Sequence, residues 1–312
     1  MFSKDNYNTD TGGQSIDITK REIKATDMFD YVMEGKEIVK VIKQGAKFVD
    51  IVYQERKPKV AIKKISKHEY VELKTGEIKE FNLQEGKCNY RSLQMTFKRL
   101  IELIRCNFTA DNKHTQKMIT LTYAENMQDE KRLYRDFQNF YDRLKYKYKN
   151  HKFEYISVAE PQERGAWHLH VLIKSDKKIY IPQRSLSELW GLGRVWIEEL
   201  KGDDAGRYYV SYFTNLKIED MSKEEKKKQG LQAQKQKSYV KGSRLKYYPK
   251  NFNFYRSSRG LKKPTIYFDT WENVIKEYGQ PDWQKSYSFY YVEDGKAKEV
   301  NLLHKASFKK QK

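Results

Sequence analysis

Several common sequence features are missing from this chain. Its only cysteines, Cys88 and Cys106, lie far apart without a CxxC pair, which argues against a disulfide framework or a cysteine zinc site. No run of about 18 apolar residues occurs, so no membrane-spanning helix is predicted. The polar N-terminal segment MFSKDNYNTDTGG does not resemble a signal peptide, and we therefore expect a cytoplasmic protein with reduced thiols.

Positive charge and tyrosine are abundant instead. Lysine and arginine number 62 against 42 aspartate and glutamate residues, which gives a formal net charge of +20, and 24 tyrosines are present. A basic surface attracts polyanions, and aromatic rings interleaved with it stack on unpaired bases. This composition favours a nucleic-acid-binding protein, although a proteome encoded by AT-rich DNA would produce a similar bias.

The sequence pattern divides the chain into three regions. Residues 1–90 are predicted to form a polar arm and a small β-rich accessory region, with a hairpin around Thr75-Gly76. Residues 91–218 are predicted to form the central domain. Residues 219–312 are predicted to form a basic extension that begins with a lysine-rich stretch and contains the strand-like segments TIYFDTW and SYSFYYVED.

The central domain alternates between helical and strand periodicity. SLQMTFKRLIELIRCNF carries apolar residues at helical spacing, whereas MITLTY alternates apolar and polar residues as a strand does. The predicted order is helix, strand, helix, strand, strand, helix, strand, helix. FEYISVAE and WHLHVLIK are joined by a short turn and must be antiparallel. The fold class predicted from this order is α+β, with a central antiparallel β-sheet flanked by helices.

Two histidines on one strand form the first candidate site. His168 and His170 are two residues apart, so both imidazoles point to the same side of the strand. Glu160 ends the preceding strand and can lie opposite either histidine once the turn folds the strand back. Two imidazoles and one carboxylate suit Mn²⁺ or Mg²⁺ and leave positions open for a phosphate oxygen. Glu163 and Glu154 are alternative third ligands, and a structural histidine pair is the simpler interpretation of the HxH pattern alone.

A tyrosine-rich helix, DDAGRYYVSYFTNLK, supplies candidate nucleophiles. Tyr208 and Tyr212 are four residues apart and share a rather polar face of the helix. Tyr209 lies on the apolar stripe with Phe213 and is predicted to belong to the core. A metal that polarises a phosphodiester still requires a nucleophile, and a tyrosine hydroxyl can serve. In a chain so rich in tyrosine, such a pair is also compatible with simple packing.

Three segments together resemble the ordered motifs of the HUH endonucleases. MITLTY, VAEPQERGAWHLHVLI and GRYYVSYFTN follow one another between Lys117 and Lys217, as they do in rolling-circle replication initiators of small bacterial plasmids and single-stranded DNA phages. Residues 241–264 are similar to the segment that follows this domain in Gram-positive members. The resemblance implies an HUH fold with a ferredoxin- or RRM-like core, a strand-nicking activity, and rolling-circle replication.

The resemblance also implies roles for individual residues. His168, His170 and Glu160 correspond to the metal ligands, Tyr208 to the first tyrosine of the Tyr-x-x-Lys motif, and Tyr212 to a second tyrosine that performs a later transfer. Ser211 occupies the lysine position of that motif. This departure leaves open which cation assists the phosphate and whether Tyr209 or Tyr212 is the nucleophile. Basic residues expected to contact DNA are Arg207, Lys217, Arg244, Lys246, Arg256 and Arg259.

The expected partners follow from this interpretation. They are origin DNA, single-stranded or in a hairpin, and a host DNA polymerase that extends the released 3′-OH. A host helicase is also implied, because the chain has no GxxxxGK[ST] motif. A relaxase or transposase with the same chemistry, a non-catalytic DNA-binding protein and a metal hydrolase without a DNA role are the alternatives.

Overall fold

The chain folds into two compact units in a computed structural model. The first unit combines residues 1–87 with 264–312, and the second spans residues 88–263. Within the residues that the structure describes, no helix is both long and apolar enough to cross a membrane. The described residues are 24–28, 31–56, 62–66, 69–80, 90–109, 114–162, 164–200, 204–211, 248–249, 252–293 and 296–310.

Strands and helices alternate along the described residues. The first part of the chain is all strand, and the middle part has the order predicted from sequence. In chain order the elements are β1 Lys24–Met28, β2 Ile38–Gln44, β3 Phe48–Gln54, β4 Ile62–Lys64, β5 Glu69–Glu72, β6 Ile78–Glu80, α1 Tyr90–Asn107, β7 Gln116–Thr122, α2 Glu130–Lys147, β8 Phe153–Pro161, β9 Trp167–Ser175, α3 Gln183–Trp190, β10 Val195–Glu198, α4 Ala205–Ser211, β11 Tyr255–Ser257, β12 Thr265–Thr270, α5 Trp271–Tyr278, β13 Trp283–Glu293 and β14 Lys296–Lys309.

The second unit is built on a five-stranded sheet in the order β10-β7-β9-β8-β11, with every neighbouring pair antiparallel. Alternation along β9 separates its side chains between two cores. Leu169 and Val171 pack with residues of α2 and α3, whereas Leu172 packs with residues of α1 and α4. The sheet is therefore covered by helices on both faces, and His168 and His170 lie on the α1 and α4 side.

Local sequence explains where α2 begins. Asp129 precedes the helix, and its carboxylate accepts hydrogen bonds from the backbone amides of Lys131 and Arg132. These amides have no partner within the helix, so an aspartate N-cap stabilises the helix start by about 1 kcal/mol. The amphipathic pattern predicted from sequence is confirmed, because Leu133, Phe137, Phe140, Tyr141 and Leu144 are buried.

A glycine determines how β10 approaches β7. A Cβ atom on Gly193 would lie 2.3 Å from the carbonyl oxygen of Thr122 and 2.7 Å from the amide nitrogen of Ala124. The same stretch donates and accepts backbone hydrogen bonds with β7 and the residues after it. Only glycine permits this approach, which brings β10 to the edge of the sheet beside β7.

The first unit contains a six-stranded antiparallel sheet in the order β1-β13-β14-β3-β2-β12. Trp271 and Val274 of α5 pack with Val39, Val41 and Ile51 on one face of it. A separate three-stranded sheet, β4-β5-β6, contains the hairpin that was predicted around Thr75-Gly76, where Gly76 has a φ of 73°.

The predicted fold class is confirmed, since large antiparallel sheets flanked by a few helices make up both units. One pairing joins distant parts of the chain. Strand β14 pairs with β3, so that Ala306 is opposite Ile51. The sequence analysis assigned these two strands to separate regions, 1–90 and 219–312, whereas in the structure they share one sheet. The predicted strand TIYFDTW ends one residue earlier than expected, because the Thr270 hydroxyl accepts a hydrogen bond from the Asn273 amide and starts α5.

Candidate metal centre

The hairpin of β8 and β9 brings the two histidines and one glutamate together. Gly165 adopts a φ of 87° in the connecting turn, a conformation that strongly favours glycine. The amides of Gln162 and Gly165 donate hydrogen bonds across this turn to backbone carbonyls. The resulting register places Glu160 directly opposite His168, as the sequence analysis expected. Residues in register share one side of a sheet, so both imidazoles and the carboxylate face the same space.

Three atoms converge at this point. The Nε2 atoms of His168 and His170 are 2.7 Å apart, and Oε2 of Glu160 lies 3.0 Å from the first and 3.2 Å from the second. Ligands bound at right angles about 2.1 Å from an octahedral ion would be separated by roughly 3.0 Å. The triangle therefore has the dimensions of one face of an octahedron. This is the one group of this kind that the described residues form.

Burial adds an electrostatic argument for a cation. Glu160 is 5% exposed and His168 is 9% exposed. Removing a carboxylate from water is costly, and the cost is offset when a cation is bound beside it. The donor set of two imidazoles and one carboxylate suits a divalent ion and leaves several coordination positions for water or phosphate oxygens. The residues present thus fit a bound divalent metal.

A neighbouring strand orients one of the imidazoles. Thr120 of β7 is in register with His170, and its hydroxyl lies 3.3 Å from Nδ1 of His170. A hydrogen bond at Nδ1 leaves Nε2 to face the metal position, which is the usual role of such an outer partner. Nδ1 of His168 is buried and has no hydrogen-bond partner in the described part of the chain.

The two alternative third ligands differ from Glu160 in their placement. Glu154 is in register with Lys174, four residues beyond His170 and roughly 13 Å along the strand, so it does not belong to the group. Glu163 lies outside the described residues. Among the described carboxylates, Glu160 is the one that joins the histidines.

Helix α4 is fixed to α1 by a buried ion pair. Asp204 precedes α4, and both of its carboxylate oxygens accept hydrogen bonds from Arg105 at 2.5 to 3.2 Å. One of them also accepts from the Arg207 amide and so caps the helix, which confirms the predicted acidic cap. Burial alone would raise the pKa of Asp204, but the hydrogen bonds and charge of Arg105 outweigh it and lower this pKa. The pair orients the helix that carries the candidate nucleophiles.

The tyrosines of α4 have different environments. Tyr209 is 1% exposed, and its hydroxyl donates a hydrogen bond to the backbone carbonyl of His170. Burial raises the pKa of Tyr209 well above its ordinary value, and the negative charge of Glu160 adds to this effect. Tyr209 is therefore a core residue that links α4 to the histidine strand, as predicted. Tyr208, the next residue, is only half-buried. Tyr212 lies outside the described residues.

The predicted DNA-binding residues are spread over the second unit. Arg207 is partly exposed and lies 3.6 Å from Asp204. Arg256 is in register with Ser157, which puts it on the sheet face covered by α2, and its guanidinium lies 3.3 Å from the centre of the Tyr134 ring. This face is opposite to the one that carries the histidines. Arg259 is exposed in the turn after β11, and the remaining three, Lys217, Arg244 and Lys246, lie outside the described residues.

A cleft of about 310 Å³ opens beside His170, and the sequence analysis did not identify the residues that line it. Besides His170 they are Met118, Thr120, Trp196 and Glu198, contributed by β7 and β10. The alternation in MITLTY indicates that Met118 and Thr120 share a side, but the sequence does not reveal that β10 pairs with this strand.

Comparison with known proteins bears on the same region. Residues 116–217, about a third of the chain, match the family model described as replication-associated protein ORF2. The matched span runs from β7 through α4 and contains the histidines, Glu160 and Tyr208. No curated protein and no solved structure matches the chain. The match associates this candidate metal centre with proteins of replication initiation.

Proposed function

We propose that this protein is a metal-dependent nickase that initiates rolling-circle replication by covalent attack on origin DNA. The observation that carries the proposal is the convergence of Glu160, His168 and His170 on one point, within a span that matches a replication-associated family. The net charge of +20 and the abundant aromatic residues support a nucleic-acid substrate.

In the proposed reaction Tyr208 is the nucleophile. Its hydroxyl oxygen attacks the phosphorus of the scissile phosphodiester in line with the bond to the 3′ oxygen, and the hydroxyl proton passes to water. The bond between phosphorus and the 3′ oxygen breaks, and this oxygen takes up a proton. The products are a 5′-phosphotyrosine and a free 3′-OH. Because one phosphate ester replaces another, the strand can later be rejoined, and Tyr212 is the proposed nucleophile of that second transfer.

The chain's own residues prepare this reaction. Glu160, His168 and His170 would hold the ion, and a bound Mn²⁺ or Mg²⁺ would act as a Lewis acid on the phosphodiester. Tyr208 is favoured over Tyr209, because the Tyr209 hydroxyl already donates to the His170 carbonyl inside the core. A half-buried tyrosine on the adjacent position retains access to DNA. The 3′-OH would prime a host polymerase, with a host helicase to open the duplex.

A covalent-adduct assay tests the proposal. The protein is mixed with single-stranded oligonucleotides that cover its own replicon, in the presence of Mn²⁺, and the products are separated on a denaturing gel. We expect an adduct that is lost in Tyr208→Phe and in the presence of a chelator. Tyr146→Phe is the matched control, since it removes the hydroxyl of a tyrosine that is 86% exposed on α2.

Two results would change the account. An adduct that survives Tyr208→Phe but is lost in Tyr212→Phe would move the nucleophile within the same mechanism. Binding of origin DNA without an adduct at any oligonucleotide would favour a non-catalytic DNA-binding protein.

A further inference from the structure

The cleft beside His170 has a lining unlike that of the metal centre. One wall is the indole of Trp196, the floor includes the Met118 side chain, and Glu198 supplies a carboxylate. Its volume of about 310 Å³ is at the lower end of the range for small-molecule sites. An aromatic wall, an apolar floor and a single polar group together suit a small, flat, partly polar molecule.

Trp196 is placed where a neighbouring nucleotide would reach it. It is in register with Thr120, which is in register with His170, so two strand spacings of about 10 Å separate Trp196 from the histidine. Trp196 is 43% exposed and makes no ring contact with the described residues. A large aromatic side chain on an edge strand, held there by the close approach at Gly193, presents an open face to the cleft.

Glu198 has no ionic partner among the described residues. Its neighbour Glu199, in contrast, lies 3.4 Å from the ammonium of Lys117. A carboxylate repels the phosphates of a DNA strand, so its position in the cleft favours contact with a base edge. The amino groups of cytosine and adenine donate hydrogen bonds that a carboxylate accepts, whereas the corresponding O4 of thymine is an acceptor.

From these observations we infer a nucleobase subsite in the cleft, in which Trp196 stacks on an unpaired base and Glu198 accepts a hydrogen bond from its amino group. The inference rests on the proposed function, because the occupant is a base flanking the phosphate at the metal centre. It makes Trp196 a binding residue and Glu198 a specificity-determining one, with a preference for amino-bearing bases over thymine.

A binding experiment with the full chain tests this subsite. Fluorescently labelled short oligodeoxycytidine and oligodeoxythymidine are titrated with protein in the presence of EDTA, so that the result does not depend on nicking. We expect Trp196→Ala to weaken oligodeoxycytidine binding about tenfold, because a stacked aromatic contributes substantially to the binding of each base. Trp196→Tyr retains a stacking ring and is expected to bind within about threefold of the wild type.

Matched variants separate the subsite from general effects. Trp283→Ala removes a tryptophan that is also 43% exposed, but in the first unit, and is expected to leave binding unchanged. Glu198→Ala and Glu199→Ala both remove one negative charge. Only Glu198→Ala is expected to reduce the preference for oligodeoxycytidine over oligodeoxythymidine, by about fivefold.

The outcomes distinguish this inference from the proposed function. Equal binding by Trp196→Ala and Trp283→Ala, or equal changes in base preference for the two glutamate variants, would refute the subsite even if the wild type forms the DNA adduct. Loss of binding confined to Trp196→Ala, in a protein that never forms an adduct, would support the subsite and refute nicking.

Discussion

Each of the two compact units buries a histidine in an antiparallel sheet, but the surroundings differ. In the second unit, Nε2 of His168 and Nε2 of His170 converge with a carboxylate oxygen within 3.2 Å. In the first unit, His304 is 1% exposed, its Nδ1 lies 2.7 Å from the hydroxyl of Ser286, and its Nε2 has no hydrogen-bond partner among the described residues.

The outer partners sharpen this contrast. A hydroxyl group lies beside Nδ1 in both cases, from Thr120 on His170 and from Ser286 on His304. The other nitrogen of His170 faces two potential metal ligands. The ring of His304 lies instead among aromatic rings, with its centre 5.5 Å from Trp271 and 6.1 Å from Tyr31. Convergence of several donor atoms, more than burial of a histidine, thus distinguishes a candidate ligand from a core residue.

The largest expected effect concerns the adduct itself. We expect His170→Ala to reduce adduct formation by more than about 100-fold, because loss of a ligand should exceed the cost of losing an outer partner. His304→Gln is the comparison variant and should retain adduct formation. The measurement is the initial rate of adduct formation with Mn²⁺. Equal losses in the two variants would show that the histidines of the triad have no special role.

Metal binding should stabilise one unit and not the other. At a Mn²⁺ concentration 100 times the Kd, the second unit should gain about 2.7 kcal/mol against local unfolding. Hydrogen exchange read separately in β8 and β9 and in β2 and β3 would detect this difference. The gain should be absent in His168→Ala. Protection that rises equally in both units, or persists in this variant, would place the ion elsewhere.

Removal of the outer hydroxyl groups should have a smaller effect. Thr120→Val keeps the shape of the side chain but removes the hydroxyl beside His170, and we expect the affinity for Mn²⁺ to fall about tenfold. Ser286→Ala removes the equivalent hydroxyl beside His304 and should leave the affinity unchanged. Titration calorimetry measures both, and a fall of similar size in Ser286→Ala would contradict the assignment.

The most gradual effect is on pH dependence. Burial lowers the pKa of His304, and the negative charge of Glu37 opposes this shift only in part. In the unfolded chain the histidine has a pKa of about 6.5, so below that pH the unfolded state binds more protons than the folded unit. Stability of the first unit should therefore be complete above this pH and decrease as the pH falls, by at most about 1.4 kcal/mol per pH unit from this group. Urea unfolding between neutral and mildly acidic pH should show a shallower slope in His304→Gln, and an unchanged slope would refute the prediction.

Local patterns predicted much of the second unit. The order from α1 to α4 and the pairing of Glu160 with His168 follow from residue periodicity and from one short turn, both of which involve neighbouring residues. The sequence did not reveal that β14 pairs with β3, because these strands are about 250 residues apart and nothing local specifies the partner. The cleft was missed for the same reason, since Trp196 reaches it only once β10 pairs with β7.

The most direct test of the central claim identifies the residue that is linked to DNA. The adduct formed with Mn²⁺ is digested with a protease and a nuclease, and the peptide that retains a nucleotide is sequenced by mass spectrometry. The account predicts a 5′-phosphotyrosine at Tyr208. A nucleotide on a residue outside α4 and Tyr212, or an adduct that forms equally well without Glu160, His168 and His170, would contradict it.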